Sequence, residues 1–211
     1  MALEPEQIEK EINIDKLQKL WDEYKRIVVT TIVIIITAYI AFQFYLSSVK
    51  KSNEVASQIY QEIIMENIDN TDVIKAGVAI LKENHSSTPY SSRGAIFLSR
   101  SLVNKNMNDE AIIELVWAAK NANERSIESL SLYSLSNIYL ISKNLEGAME
   151  AANKISTPGY IGLKNDLLGD IYIASNDKEK ARISYKAALK FYLNKSELAK
   201  VIQTKIDAIG Q

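Results

Sequence analysis

Asp166 and Asp170 lie four residues apart in the stretch LKNDLLGD. On a helix this spacing places both carboxylates on one face, and carboxylates are among the groups that general acid–base catalysis uses. The same spacing is typical of the wall of a hydrated groove and of residues that form salt bridges. We favour these two interpretations over a catalytic pair.

The rest of the sequence offers little catalytic or metal-binding chemistry. His85 is the only histidine and there are no cysteines, which excludes a thiolate nucleophile, a disulfide framework and thiolate metal ligands. One histidine without cysteine does not build a usual zinc site, and no Walker, GxGxxG or HExxH motif is present. We therefore predict a non-enzymatic protein with no catalytic residue, no cofactor and no metal site.

One apolar run is the most informative element of the chain. Residues 27–46 read IVVTTIVIIITAYIAFQFYL and carry no charge. A helix of this length measures about 30 Å, which matches the hydrocarbon core of a bilayer. We predict a single transmembrane helix over residues 27–46. A cleaved signal peptide is the alternative, but its apolar core is shorter and lies closer to the N-terminus.

The charges that flank this run indicate its orientation. The 26 residues before it contain five basic residues, whereas Lys50 and Lys51 follow it closely. Basic residues near a span stay on the cytoplasmic side. The predicted domains are therefore a cytoplasmic segment over residues 1–26, the membrane helix, and an extracytoplasmic domain over residues 47–211.

The extracytoplasmic part is predicted to be all-α. Seven glycines and three prolines among 211 residues are few, which favours long helices with short connections. A helical period continues after the span, and residues 71–84 form a second amphipathic helix that completes a hairpin. We expect the stretch HSSTPYSS, residues 85–92, to be a loop that ends this hairpin.

The remaining sequence repeats. Residues 92–123, 129–160 and 162–193 align as three copies of a helix, a turn and a second helix. Aligned positions keep large apolar residues where neighbouring hairpins meet and small residues where partner helices approach closely. These predicted packing residues are Leu98, Ser99, Ala111, Leu135, Ser136, Tyr139, Ala148, Leu168, Gly169, Tyr172, Ala181, Tyr185 and Ala188. Because one hairpin cannot bury both apolar faces, the hairpins must stack into a solenoid, and residues 196–211 are predicted to form a terminal capping helix.

These columns resemble the tetratricopeptide repeat. The third copy matches best, with the L-G-x-x-Y and A-x-x-x-Y patterns between Leu168 and Ala188. The resemblance implies that the first helix of each hairpin lines a concave surface. The residues that this places on the surface are Arg93, Ile96, Arg100, Tyr133, Asn137, Leu140, Leu163, Asp166 and Asp170. Their mixed polar and apolar character suits an unfolded segment or a partner helix; in the alternative interpretation, several of the apolar ones pack against the first hairpin.

The layout as a whole resembles the YfgM-type ancillary subunits of the bacterial Sec translocon. The similar stretches are STPYSSRGAIFLSRSLV, NDEAIIELVWAAKNA, GYIGLKNDLLGDIYIASNDKEKARISYKAAL and the ending TKIDAI. The resemblance implies a single-pass type II protein of the bacterial inner membrane with a periplasmic repeat domain. It also implies two protein partners, the SecYEG channel and the periplasmic chaperone PpiD, and a role in the folding of exported proteins.

Two other functions remain open for the same architecture. One is a receptor or scaffold of another complex, such as an organellar import receptor, with its repeats in the cytosol. The other is a regulatory tether that binds a soluble response regulator through residues 1–26. The net charge of −1 gives no electrostatic reason to expect nucleic acid as a partner, and we expect no small-molecule substrate.

Overall fold

The structure is a computed structural model that describes residues 5–66, 70–192 and 197–210, with side chains described from residue 16 onward except at residue 66. Residues 1–4 of the predicted cytoplasmic segment and residue 193, the last of the predicted third repeat, lie outside the described residues. The chain divides into two compact units, residues 1–51 and residues 52–211.

Helix α1, Pro5–Gln61, contains the predicted membrane span. It is the one helix of the described chain that is long and apolar enough to cross a membrane. The side chains of residues 27–46 are all exposed. So much exposed apolar surface is unfavourable in water and favourable in lipid, which makes α1 a candidate membrane helix.

The hydroxyl groups in this stretch bond to the helix itself. Thr30, Thr31 and Thr37 each donate a hydrogen bond of 2.7–2.8 Å to the carbonyl four residues earlier. Such bonds satisfy a hydroxyl inside a hydrocarbon environment, where an unpaired polar group is costly. These three threonines are therefore compatible with a helix that faces lipid.

The described part of the second unit consists of helices joined by short turns and loops, which confirms the predicted all-α solenoid. A π-helical turn, Glu62–Glu66, follows α1, and a 3₁₀ turn, Pro158–Tyr160, precedes α7. The remaining helices are α2 Thr71–Asn84, α3 Pro89–Asn104, α4 Asn108–Asn121, α5 Arg125–Ile141, α6 Leu145–Lys154, α7 Ile161–Ala174, α8 Lys178–Phe191 and α9 Glu197–Ile209. The three repeats are the pairs α3–α4, α5–α6 and α7–α8.

The prediction of a loop over residues 85–92 was wrong in its second half, because α3 begins at Pro89. Proline is favoured at the first position of a helix, since its φ angle is already helical and the missing amide would have no partner there. The first repeat therefore starts three residues before the predicted boundary at Ser92.

Each repeat reverses direction through a turn of the same geometry. Asn106, Lys143 and Asn176 adopt the left-handed conformation, with φ angles of 61°, 61° and 63°. The amide of each residue donates to the carbonyl three residues back, and the next amide donates to the carbonyl five residues back. These two bonds form a Schellman motif that ends the first helix of every repeat.

The residue that closes this motif also begins the next helix. The side chains of Asn144 and Asp177 accept hydrogen bonds from the amides of Gly147, at 2.9 Å, and Lys180, at 3.1 Å. Each bond satisfies one of the free amides at a helix N-terminus. Met107 holds this position in the first turn and provides no such bond. In the second and third hairpins, one residue therefore both closes the turn after the first helix and caps the second helix.

Ten of the thirteen predicted packing residues are buried, and Tyr139, Leu168 and Tyr172 are half-buried. The closest approach is between α7 and α8, where the ring of Tyr185 covers Gly169 and a methyl group on Gly169 would overlap the ring. Glycine thus allows the aromatic side chain to lie against the helix backbone.

Lys143 provides a test of the turn geometry. Replacing Lys143 by glycine should raise the free energy of unfolding by about 1 kcal/mol, because glycine adopts a positive φ without the steric penalty that a Cβ brings. Lys143→Ala is the matched control, since it removes the same charge but keeps the Cβ. Urea denaturation measures both, and equal stability of the two variants would contradict the prediction.

Candidate functional site

A groove of about 720 Å³ runs between the first helices of repeats one and two. Its walls are α3 from Arg93 to Asn104 and α5 from Ile127 to Ile141, and Tyr60 of α1 also lines it. We refer to it as the α3–α5 groove. A cavity of this size lies within the usual range for binding sites in proteins.

The structure brings five of the nine predicted concave residues together in this groove. They are Arg93, Ile96 and Arg100 on α3, and Tyr133 and Asn137 on α5. Their spacing of three and four residues keeps them on one face of each helix. The other four predicted residues do not line the groove.

Leu140 was predicted to line the concave surface, but it packs against the buried cluster that includes Ala148 and Ile171. The adjacent Ile141 lines the groove and is 71% exposed. The lining of α5 follows a four-residue ridge through Tyr133 and Asn137, and the next step of that ridge is residue 141. A shift of one residue rotates a side chain by about 100°, which moves it from the groove to the core.

The groove lining also includes Phe97, Val103 and Leu130, which were not predicted from the sequence. Leu130 was detectable, because the repeat alignment puts it in the same column as Arg93 and Leu163. Phe97 and Val103 lie four and three residues from predicted lining residues, which is the spacing of one helix face. Their apolar character alone did not separate them from core positions.

The two aspartates of repeat three have an intramolecular partner. The Nζ atom of Lys205 on α9 lies 2.8 Å from Asp166 Oδ1 and 2.8 Å from both carboxylate oxygens of Asp170. The hydroxyl of Tyr185 donates a 2.6 Å hydrogen bond to Asp170. This cluster supports the salt-bridge interpretation, and contacts with α9 occupy these concave positions. Leu163, on the same helix, is half-buried.

The pKa values in this cluster reflect burial first, and then the one ammonium group that two carboxylates share. Burial alone would lower the pKa of Lys205, but its hydrogen bonds to the two aspartates outweigh burial and raise the pKa. Burial raises the pKa of Asp166, and the bond from Lys205 offsets this only in part. Burial and the bond to Asp170 raise the pKa of Tyr185. Burial therefore disfavours the charged form of Asp166 more than the bond to Lys205 favours it.

The α3–α5 groove has the opposite charge. Arg93 donates hydrogen bonds of 2.9 and 3.2 Å to the carboxylate of Glu124. Glu124 itself does not line the groove. Arg100 is exposed, and no ion pair links it to another residue of the described chain. Burial raises the pKa of Tyr60, although Arg93 acts in the opposite direction. Among its described residues, the groove thus combines apolar walls with one arginine, Arg100, that has no ion pair.

The side chains that line this groove are suited to binding a protein segment. Tyrosine, serine, asparagine and arginine side chains provide the polar atoms of the lining, and its described residues include no carboxylate, histidine or cysteine. Among the residues with a described position, no cluster of potential metal ligands was found. Apolar walls with a few polar groups suit a protein segment.

Stacked helical hairpins with a concave groove define a helical-repeat protein of the protein-interaction class. A model of the tetratricopeptide repeat-like domain matches residues 18–211, and the chain belongs to this family.

The chain is also similar to curated proteins named ancillary SecYEG translocon subunit. It is 20% identical to the one from Escherichia coli (strain K12), over 93% of this chain and 95% of the relative. It is 18% identical to that of Neisseria gonorrhoeae (strain ATCC 700825 / FA 1090), over 96% and 98%. It is 22% identical to that of Aggregatibacter actinomycetemcomitans, over 86% and 89%. These relatives confirm the predicted resemblance, and their repeats define an interaction fold and not an enzyme family.

Asp170 accepts more hydrogen bonds than Asp166 does, and this difference leads to a prediction. Asp170→Asn should lower the free energy of unfolding at neutral pH by about 1 kcal/mol, because both its oxygens bind Lys205 and one also binds Tyr185. Asp166→Asn should raise it slightly, because the substitution removes the poorly compensated charge.

The pH dependence provides the second half of this test. The folded protein holds the proton of Asp166 more tightly than the unfolded chain does, since burial raises its pKa above the ordinary 3.8. Its contribution to stability therefore falls as the pH rises from 3.8 through the raised value, and Asp166→Asn should lack this fall. Urea denaturation from about pH 4 to about pH 7 measures the free energy of unfolding of Asp166→Asn and of the unsubstituted protein. An equal loss of stability in the two proteins would contradict the raised pKa of Asp166.

Proposed function

We propose that this protein is a membrane-anchored, non-enzymatic scaffold of the Sec translocon. The observation that carries the proposal is the similarity to ancillary SecYEG translocon subunits over 86–96% of the chain. A groove with protein-binding character supports it. The scaffold acts by holding partners together, since the lining of its groove combines apolar walls with hydrogen-bonding side chains.

In this proposal the protein is a single-pass type II protein of the bacterial inner membrane. Residues 27–46 span the bilayer, residues 1–26 lie in the cytoplasm and residues 47–211 lie in the periplasm. The five basic residues before the span, against two after it, support this orientation. The exposed apolar side chains of residues 27–46 support the span itself.

The proposed partners are the SecYEG-type channel and a PpiD-like membrane-tethered chaperone of the periplasm. In this proposal the span holds the protein in the same membrane as the channel, and the repeat domain assists exported chains as they fold. The five concave residues of the α3–α5 groove then form the docking surface for one protein partner. Repeat three has no equivalent free surface at Asp166 and Asp170, because Lys205 binds both.

Co-purification tests the translocon role. The full chain, tagged at its C-terminus and extracted from native membranes in mild detergent, should bring down channel subunits and a membrane-tethered chaperone. Quantitative mass spectrometry measures both against an unrelated single-span protein with the same tag. Channel subunits at the level of this control would refute the association, and channel subunits without a chaperone would refute the chaperone link alone.

A chain that lacks residues 2–15 distinguishes the scaffold from the regulatory tether. The scaffold retains its channel subunits after this deletion, because the span and the repeats are intact. Loss of all partners on deletion would favour a cytoplasmic regulator.

Protease accessibility tests the orientation. In spheroplasts, added protease should remove residues 47–211, whereas in sealed inside-out membrane vesicles the same residues should be protected. Immunoblotting of a C-terminal tag measures both, with a cytoplasmic protein as the control for sealed membranes. Protection in spheroplasts would place the repeats in the cytosol, as expected for an import receptor.

A further inference from the structure

The membrane helix carries one polar pair that its own backbone does not satisfy. The Nε2 atom of Gln43 donates a 3.0 Å hydrogen bond to the hydroxyl of Tyr39, one helical turn earlier. Within the described chain, neither side chain has a further hydrogen-bond partner. The carbonyl oxygen and second N–H of Gln43 and the hydroxyl proton of Tyr39 therefore remain unpaired. The threonines of the span differ, because each bonds to its own backbone.

This polar pair lies at a depth where water does not reach it. Gln43 and Tyr39 precede Lys50, the first charge after the span, by about 10 Å and about 16 Å at 1.5 Å per residue. Tyr39 is therefore too deep for the aromatic belt at the headgroups. The bond to Tyr39 also directs the amide of Gln43 back along the helix, away from the headgroups beside Lys50. Unpaired polar atoms in hydrocarbon are unfavourable, so the pair favours a partner within the membrane.

The unpaired atoms complement a second copy of the same pair. They comprise two donors, the amide N–H and the hydroxyl, and one carbonyl oxygen that accepts two bonds. When two copies face each other, each carbonyl oxygen can accept from the amide of the other Gln43 and from the other Tyr39 hydroxyl. Copies inserted with the same orientation are parallel, and a two-fold axis then places Gln43 opposite Gln43. Each copy therefore supplies the bonds that the other lacks.

Apolar residues on the same side of the helix allow two such helices to pack. The positions at alternating spacings of four and three residues are Ile32, Ile36, Tyr39, Gln43 and Leu46, and all five side chains are exposed. We refer to them as the Gln43 seam. This spacing is that of a left-handed pair of parallel helices, in which one polar position fixes the register. The seam ends before Lys50, whose long side chain can hold its charge at the headgroups.

We propose that two copies of this chain associate in the membrane as a parallel dimer through the Gln43 seam. The two Gln43 amides exchange hydrogen bonds across the interface, and each Tyr39 hydroxyl donates to the carbonyl oxygen of the other Gln43. The apolar residues of the seam pack above and below these bonds. The proposal requires residues 27–46 to span a membrane, as under the proposed function, but it does not require the translocon role.

Disulfide cross-linking tests the contact face, because the full chain has no cysteine of its own. Leu46→Cys places a thiol in the seam, and Tyr45→Cys is the matched control, one residue away at the same depth but on another side of the helix. Each full-length variant is oxidised in native membranes, and non-reducing gels measure the initial rate at which a covalent dimer forms. Leu46→Cys should cross-link about tenfold faster than Tyr45→Cys, since a dimer through the seam brings only residue 46 of the two chains together.

Removal of the polar pair gives the decisive comparison. In the Leu46→Cys chain, Gln43→Leu should slow cross-linking about tenfold, the effect of losing two hydrogen bonds between membrane helices. Thr37→Val is the matched control, because the hydroxyl of Thr37 bonds to its own backbone and its loss should leave the rate unchanged. Immunoblotting checks that all variants reach the membrane in equal amounts.

The other outcomes overturn the dimer or leave it standing alone. Equal rates for Leu46→Cys and Tyr45→Cys overturn it, as does a rate that Gln43→Leu leaves unchanged. A product that joins Leu46→Cys only to a different membrane protein, identified by mass spectrometry, assigns the seam to that protein and also overturns the dimer. Channel subunits that co-purify with the chain despite such results leave the translocon proposal standing. A dimer that forms through the seam without channel subunits removes the translocon role and supports this inference.

Discussion

The repeated turn is the constraint on which the rest of the domain depends. Three hairpins reverse through a left-handed residue whose amide and successor form the same pair of hydrogen bonds. Because the geometry recurs, aligned residues of successive units fall on the same face, and the first helices line up side by side. The α3–α5 groove follows from this alignment. A turn of different length would rotate α5 against α3 and remove the common face.

The end of the stack imposes a second requirement. A repeat that lacks a following neighbour leaves one apolar face without a partner, and α9 covers this face through Ile202 and Ile209. The same helix carries Lys205 to the aspartates of α7. Closing the stack thus uses the concave positions of repeat three that the sequence assigned to a partner. Asp166 and Asp170 therefore bind α9, and they are not available to a partner.

The features that depend on residues close together in the chain could be predicted from the sequence. Scarce glycine and proline indicated long helices, and ten of the thirteen residues that the repeat alignment assigned to packing are buried. Two features could not be predicted in this way. Leu140 and Ile141 are both apolar, and only the rotation of α5 decides which one faces the groove. Lys205 lies more than thirty residues from Asp166 and Asp170, and no periodic pattern links an ion pair at that separation.

The position of α9 depends on two kinds of contact. Its buried isoleucines, Ile202 and Ile209, pack against α8 at the open end of the stack, and Lys205 reaches across to Asp166 and Asp170 on α7. Apolar burial alone does not fix the rotation of a helix about its axis, because several rotations bury a similar area. The ion pairs are directional, so they select the rotation in which Lys205 faces α7. The apolar face and the single charge of α9 therefore fix its position on both helices of repeat three.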